Sequence, residues 1–180
     1  MECVKNELSN DYYIMMAECM IRMLQDVGFT LKKNMRILDF GCGNGEMIQA
    51  FLSLGYDTYG VDIIDCPSLD ASHYKKIGFN PYQIPYSEDS FDLVYSSSVF
   101  EHTQNTEEGF REIYRVLKWG GNYQCFTKPL SYFGTSYTCS VWRNYSIPHV
   151  VKTLGFFRDS QRVSARIILE RSISTECRIL

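Results

Sequence analysis

Ile37-Leu38-Asp39-Phe40-Gly41-Cys42-Gly43-Asn44-Gly45 decides how this chain folds. A short apolar run, a carboxylate and three alternating glycines predict a buried strand that turns into a helix around a small ligand. Glycine permits φ > 0 and lets a ligand approach where a Cβ would otherwise stand. The helix that follows, Glu46-Met47-Ile48-Gln49-Ala50-Phe51-Leu52, has the apolar spacing of one buried face. Backbone N–H groups at a helix start favour a negatively charged ligand group. The spacing excludes one class of ligand. A dinucleotide fingerprint, G-x-G-x-x-G, needs a third glycine at position 46 after Gly41 and Gly43; the residue there is Glu46, whose carboxylate repels a pyrophosphate.

Outward from this stretch, strands and helices alternate. Ser9-Asn10-Asp11 offers caps for a helix with Ile14, Ala17, Ile21, Leu24 and Val27 on one face, closed by Gly28. Thr58-Tyr59-Gly60-Val61-Asp62 reads as a second strand ending on a carboxylate. The segment from Ile63 to Tyr82, broken by Pro67, Gly78 and Pro81, reads as a loop with one helical turn near Ala71 to Lys76 and a short strand near Gly78. Phe91 to Ser96 reads as a buried strand. Asn105 and Glu108 form a capping box for a helix that turns Phe110, Ile113, Tyr114 and Leu117 inward and stops at Gly120-Gly121. Asn122 to Thr127 is the next strand. Lys128 to Asn144 reads as a long surface loop, followed by a helix from Ser146 or Pro148 to Leu154, ended by Gly155. Two short strands near Phe156 to Gln161 and Val163 to Glu170 complete the expectation, with the last ten residues frayed. This alternation predicts an α/β fold with a mostly parallel sheet. Ligands of such sheets sit beyond the C-terminal strand ends, so Asp39, Asp62 and Ser96 are expected at one edge.

The chain's 180 residues fit one domain, and 45% hydrophobic content supplies a core. A net charge of −3 and a pI near 5.6 give no electrostatic footprint for nucleic acid. Seven cysteines, an odd number without zinc-ligand spacing, read as free thiols in a reducing compartment. No signal peptide or membrane-length apolar run is visible, so a cytoplasmic location is expected.

Three blocks resemble the class I S-adenosylmethionine-dependent methyltransferases, in particular the methyltransferase-11-like domain. They are Leu38 to Gly45; Gly60-Val61-Asp62; and Ile84 to Val94 with Ser97 to His102 and Arg111 to Gly121, together spanning about Met35 to Phe126. The resemblance implies a Rossmann-like three-layer sandwich, with helices on both faces of the sheet. It divides the single domain into an N-terminal helical segment (1–34), a cofactor-binding core (35–127) and an acceptor-side region (128–180). It also implies that Asp39 serves the cofactor's amino group, directly or through water. The backbone of Gly41, Cys42 and Gly43, on to Gly45, is expected against the methionine tail, with Asp62 on the ribose hydroxyls and Ile63 on an adenine face. Asn80 stands where the family usually places an acidic partner for the adenine amino group; its side-chain oxygen accepts the same hydrogen bond without the charge. Ser97 is the expected cofactor-side residue after the fourth strand. Trp119 replaces the family's usual proline before Gly-Gly, a change read as structural.

Methyl transfer from a sulfonium is an in-line displacement on an activated carbon, so positioning and water exclusion supply much of the acceleration. A hydroxyl acceptor benefits from a general base. His102, after the fourth strand, is the candidate, ahead of His73 and His149, while Glu101 is expected to anchor its loop. Tyr132, Phe133, Tyr137, Trp142 and Tyr145 are candidates for an acceptor pocket wall, against ordinary aromatic packing. The reading is an S-adenosylmethionine-dependent methyltransferase acting on a small-molecule O, N or C nucleophile, with no metal, no nucleic acid and no membrane. The alternatives are a non-catalytic S-adenosylmethionine-binding module and a methyltransferase acting on RNA or protein. A homo-oligomer is left open, because the short C-terminal region leaves room for a partner subunit to complete the acceptor side.

Overall fold

The computed structural model describes residues 10–26, 28–79, 81–127, 137–143, 150–158 and 161–169, the last three segments as backbone strands. Helix α1 spans Asn10–Asp26 and leads into β1, Arg36–Phe40. After the glycine loop come α2, Glu46–Ser53, and β2, Asp57–Asp62. A short β3, Tyr74–Lys76, precedes β4, Phe91–Ser97. A single 3-10 turn at Phe100–His102 then leads to α3, Thr106–Val116, and to β5, Leu117–Thr127. Strands β6, Tyr137–Arg143, β7, Val150–Arg158, and β8, Gln161–Leu169, follow.

One sheet holds all eight strands in the order β3-β2-β1-β4-β5-β6-β7-β8. The first five run parallel, and β6 to β8 extend one edge as an antiparallel meander. The chain winds outward from β1 to β3, then returns to place β4 on the other side of β1. In sheets with this order the ligand sits at that reversal, beyond the C-terminal ends of β1 and β4.

Alternating side chains on the central strands feed two cores, as the period of a strand requires. Ile37, Leu93 and Tyr95 meet α1 and α2 through Ala17, Met20, Leu24, Ala50 and Phe51. Leu38, Phe40, Phe91 and Val94 face the other way, against Ile113 and Val116 of α3 and the segment carrying Ile77, Tyr82 and Ile84. The expected three-layer α/β arrangement is what forms.

Several local expectations are corrected. The third strand lies at Tyr74–Lys76, ending two residues before Gly78, and 71–73 is a turn leading into it. Helix α3 ends at Val116, and Leu117 is already the first residue of β5, so the chain passes from helix to strand ahead of Gly120-Gly121. Its buried face is Gly109, Ile113 and Val116, which leaves Phe110 and Tyr114 substantially exposed. Only half of the capping box forms. The Asn105 side chain accepts from the Glu108 N–H at 3.2 Å, while the Glu108 carboxylate accepts from the Asn105 side-chain amide at 3.5 Å and from the Tyr82 N–H at 3.2 Å, in place of the Asn105 backbone N–H. The loop expected over 128–144 contains β6, and the helix expected up to Leu154 is β7. Val150, Val151 and Thr153 are β-branched, and the seven-residue register of β6 with β7 satisfies backbone groups that a lone helical turn would leave open. The two late strands also run longer than expected, β7 beginning at Val150.

Candidate cofactor site

The carboxylates meet where the sequence reading put them. Asp39 pairs laterally with Gly60 of β2 and Tyr95 of β4, close to the C-terminal ends of all three strands, and Asp62 is the last residue of β2. Ser97 ends β4 on the same edge and is exposed.

Three glycines between β1 and α2 hold positive φ: 85° at Gly41, 56° at Gly43 and 82° at Gly45. Their surroundings separate their roles. A Cβ on Gly41 would strike the Val99 side chain, and one on Gly45 would strike Leu69 and approach Cys66 Sγ. Gly60 on β2 is closed in the same way by Ile48 and Cys42. Gly43 alone of these has nothing within 4 Å of the position its Cβ would take. The loop is therefore packed on its protein side and open at Gly43.

Asp62 fixes that open point. One carboxylate oxygen accepts from the Gly43 N–H at 2.7 Å and the other from the Ile64 N–H at 3.1 Å. The β2 backbone adds a second tie, since the Val61 carbonyl accepts from the Gly41 N–H at 2.8 Å. A carboxylate offers about four lone-pair sites, so Asp62 retains acceptor capacity toward a ligand. Ile63 and Ile64, just beyond it, are 39% and 50% exposed, an apolar surface next to a hydrogen-bonding one.

Asp39 is only 4% exposed. Its Oδ2 accepts from the Tyr95 hydroxyl at 2.9 Å, and no ion pair among the described residues engages it. Burial, opposed by the Tyr95 hydrogen bond and reinforced by the charges of Asp62 and Glu46, pushes its carboxyl up to about 7. Cys42 is buried beside these carboxylates, and burial pushes its thiol far up, so it is no nucleophile.

The exit of β4 is strained into place. Ser98 holds φ 54°, a left-handed conformation that costs a non-glycine residue on the order of 1 kcal/mol. Its N–H is tied to the Phe126 carbonyl at 2.8 Å, and the turn sets Val99 against Gly41. His102 follows, exposed, with its backbone N–H on the Val99 carbonyl at 2.9 Å. His73 is not at this edge. It precedes β3, its Nδ1 is 2.9 Å from the Thr58 carbonyl, and its ring packs on Tyr59, a structural role. Asn80, His149, Tyr132, Phe133 and Tyr145 lie outside the described residues, as do the side chains of Glu101, Tyr137 and Trp142.

Two features escaped the sequence reading. One is Tyr95, a hydroxyl inside an apolar strand. The other ties the segment before β4 to α3. Glu112 accepts from the Ile84 N–H at 2.8 Å and pairs with Arg115 at 2.7 Å, while Arg115 donates to the Ile84 and Tyr86 carbonyls at 2.8 Å each. Their i, i+3 spacing on a helix was the available signal.

Comparison with known proteins agrees with this geometry. Residues 38–125 match the family model described as a methyltransferase domain, a span from β1 into β5. The 24-methylenesterol C-methyltransferase 2 of Arabidopsis thaliana is 36% identical over 104 residues, covering 52% of this chain and 29% of that protein. The mitochondrial ubiquinone biosynthesis O-methyltransferase of Rattus norvegicus is 33% identical over 102 residues, covering 49% of this chain and 29% of that protein. The matched segment thus spans less than a third of these relatives. The crystal structure of the YcgJ protein from Bacillus subtilis superposes with a TM-score of 0.52 at 22% identity, covering 66% of this chain and 51% of that one, which supports the fold. The sheet is that of a methyltransferase domain, and residues 38–125 of this chain belong to that family.

Proposed function

We propose that the chain binds S-adenosylmethionine at the glycine loop and transfers its methyl group to a small-molecule O, N or C nucleophile. One observation carries this reading: Gly43 is open to a ligand and flanked by a buried carboxylate that no cation among the described residues pairs with, and by an oriented carboxylate with acceptor capacity left. That set suits a ligand with an ammonium group and a vicinal diol. In this reading Asp39 receives the ammonium, Asp62 the ribose hydroxyls, and the backbone of Gly41, Cys42 and Gly43 lines the methionine tail. Ile63 covers one adenine face, Asn80 meets the adenine amino group, and Ser97 borders the cofactor from β4. When bound, the cofactor supplies a methyl group already activated on a sulfonium. The chain's own part is to orient it, to exclude water, and to hold the acceptor in line. His102 is assigned as the base for a hydroxyl acceptor, being exposed just past the strained β4 exit.

The named relatives are a 24-methylenesterol C-methyltransferase and a ubiquinone biosynthesis O-methyltransferase, and both names support a small-molecule acceptor for this chain. The test is turnover. A screen of small-molecule acceptors with S-adenosylmethionine should release S-adenosylhomocysteine with at least one of them. For a hydroxyl acceptor, His102→Ala should lower kcat by about 100-fold or more and leave cofactor affinity unchanged. Tight cofactor binding with no turnover across all acceptor classes, RNA and protein included, would point to the non-catalytic module.

A further inference from the structure

The lateral register places Asp39 of β1, Tyr95 of β4 and Gln124 of β5 in one row across three adjacent strands. In-register residues of a parallel sheet share a face, and Tyr95 shows that this face lies under α1 and α2, with its ring against Phe51 at 5.7 Å. All three members are buried: Asp39 is 4%, Tyr95 0% and Gln124 2% exposed. Buried polar groups normally find partners. Here the single hydroxyl hydrogen of Tyr95 is directed to Asp39, while the Gln124 carbonyl oxygen has no partner among the described residues.

We infer that Tyr95 is a positioning residue, which holds the Asp39 carboxylate charged and oriented toward the glycine loop so that it can receive a ligand's ammonium group. The inference rests on the assignment of Asp39 proposed above. The electrostatics around Asp39 make the role necessary. Among the described residues, every titratable group acting on it is acidic: Asp62 from β2, Glu46 from the start of α2, the Cys42 thiol from the glycine loop, and the Tyr95 phenol itself. Burial and the two carboxylates favour a neutral Asp39, and among those residues the Tyr95 hydrogen bond is the one interaction that favours the anion. A protonated Asp39 offers an ammonium no charge.

The test is the pH dependence of S-adenosylmethionine binding to the full chain and to Tyr95→Phe, followed calorimetrically between pH 6 and 9. The ratio of the two affinities is read at each pH, so titration of the cofactor's own amino group cancels. Loss of one hydrogen bond to the anion should raise the binding midpoint by about one pH unit. The variant is then about tenfold weaker than wild type at pH 6 and within about twofold at pH 9. In an Asp39→Asn background the Tyr95→Phe change should have the same small effect at every pH. A ratio independent of pH in the wild-type background would overturn the role, because a purely structural tyrosine weakens binding uniformly. Thermal unfolding of each variant separates misfolding from lost affinity, and carbon-13 carboxyl shifts of Asp39 read the same midpoint without ligand. Absence of binding by the wild-type chain at every pH would instead overturn the cofactor assignment, leaving the Asp39 midpoint shift as the remaining test of Tyr95.

Discussion

Asp62→Ala is expected to weaken S-adenosylmethionine binding by about 100-fold or more. The Asp62 carboxylate has two tasks. It holds the loop, through the Gly43 and Ile64 N–H groups, and in the proposed function its remaining lone pairs accept from the ribose hydroxyls. Each hydrogen bond to a charged group contributes about 1.5–3 kcal/mol, so losing even two of them corresponds to about 3 kcal/mol or more. Asp62→Asn retains one oxygen acceptor and should fall between alanine and wild type. The freed Gly43 N–H opens to solvent, so the unliganded chain should lose only about 1 kcal/mol of stability. Calorimetric titration of the three proteins checks the order, and an alanine variant with wild-type affinity would remove Asp62 from the site.

Asp39→Asn is expected to move stability and binding in opposite directions. The folded carboxyl titrates at about 7, above its ordinary value near 4, because it is buried beside Asp62 and Glu46. Between those two pH values the folded chain holds a proton that the unfolded chain has released. Stability from this group is therefore fullest below about pH 4 and declines as pH rises to about 7, by roughly 4 kcal/mol in total. Asparagine has no such dependence, but its buried amide N–H2 lacks an acceptor, which costs about 1–3 kcal/mol. The variant should thus be less stable than wild type near pH 4 and more stable by about 1–3 kcal/mol at pH 8. Its cofactor affinity should fall by about 10- to 100-fold, the loss of one charge-assisted hydrogen bond. Urea unfolding at pH 4, 6 and 8 gives the first quantity and titration the second. A stability difference that does not change with pH would contradict the buried, uncompensated carboxylate on which the site is built.

The glycine loop was legible because its physics is local. Glycine takes the three positive φ values between β1 and α2 without strain, and the apolar run before it has one sensible partner, a sheet. The Asn105 cap was legible for the same reason. Phase on α3 was misread because Phe110 and Tyr114 attract attention by size, whereas the helix turns Gly109 inward so that Phe100 can lie close to it and stack on Phe110 at 4.3 Å. The partner that decides this orientation is not in the helix. Strands β6 and β7 were misread because strand pairing, of β6 with β5 and of β7 with β6, outweighed the turn residues and the short helical spacing near Val150. Tyr95 was invisible for a related reason. In sequence it is one aromatic within an apolar strand, and only the lateral register shows that its hydroxyl reaches Asp39.

The central claim is that the packed glycine loop, open at Gly43 between two carboxylates, holds an adenosyl amino acid and no dinucleotide. Calorimetric titration of the full chain with S-adenosylmethionine and, separately, with NAD tests it most directly. Saturable, one-to-one heat with S-adenosylmethionine and none with NAD is the predicted result; binding of NAD without S-adenosylmethionine would contradict it.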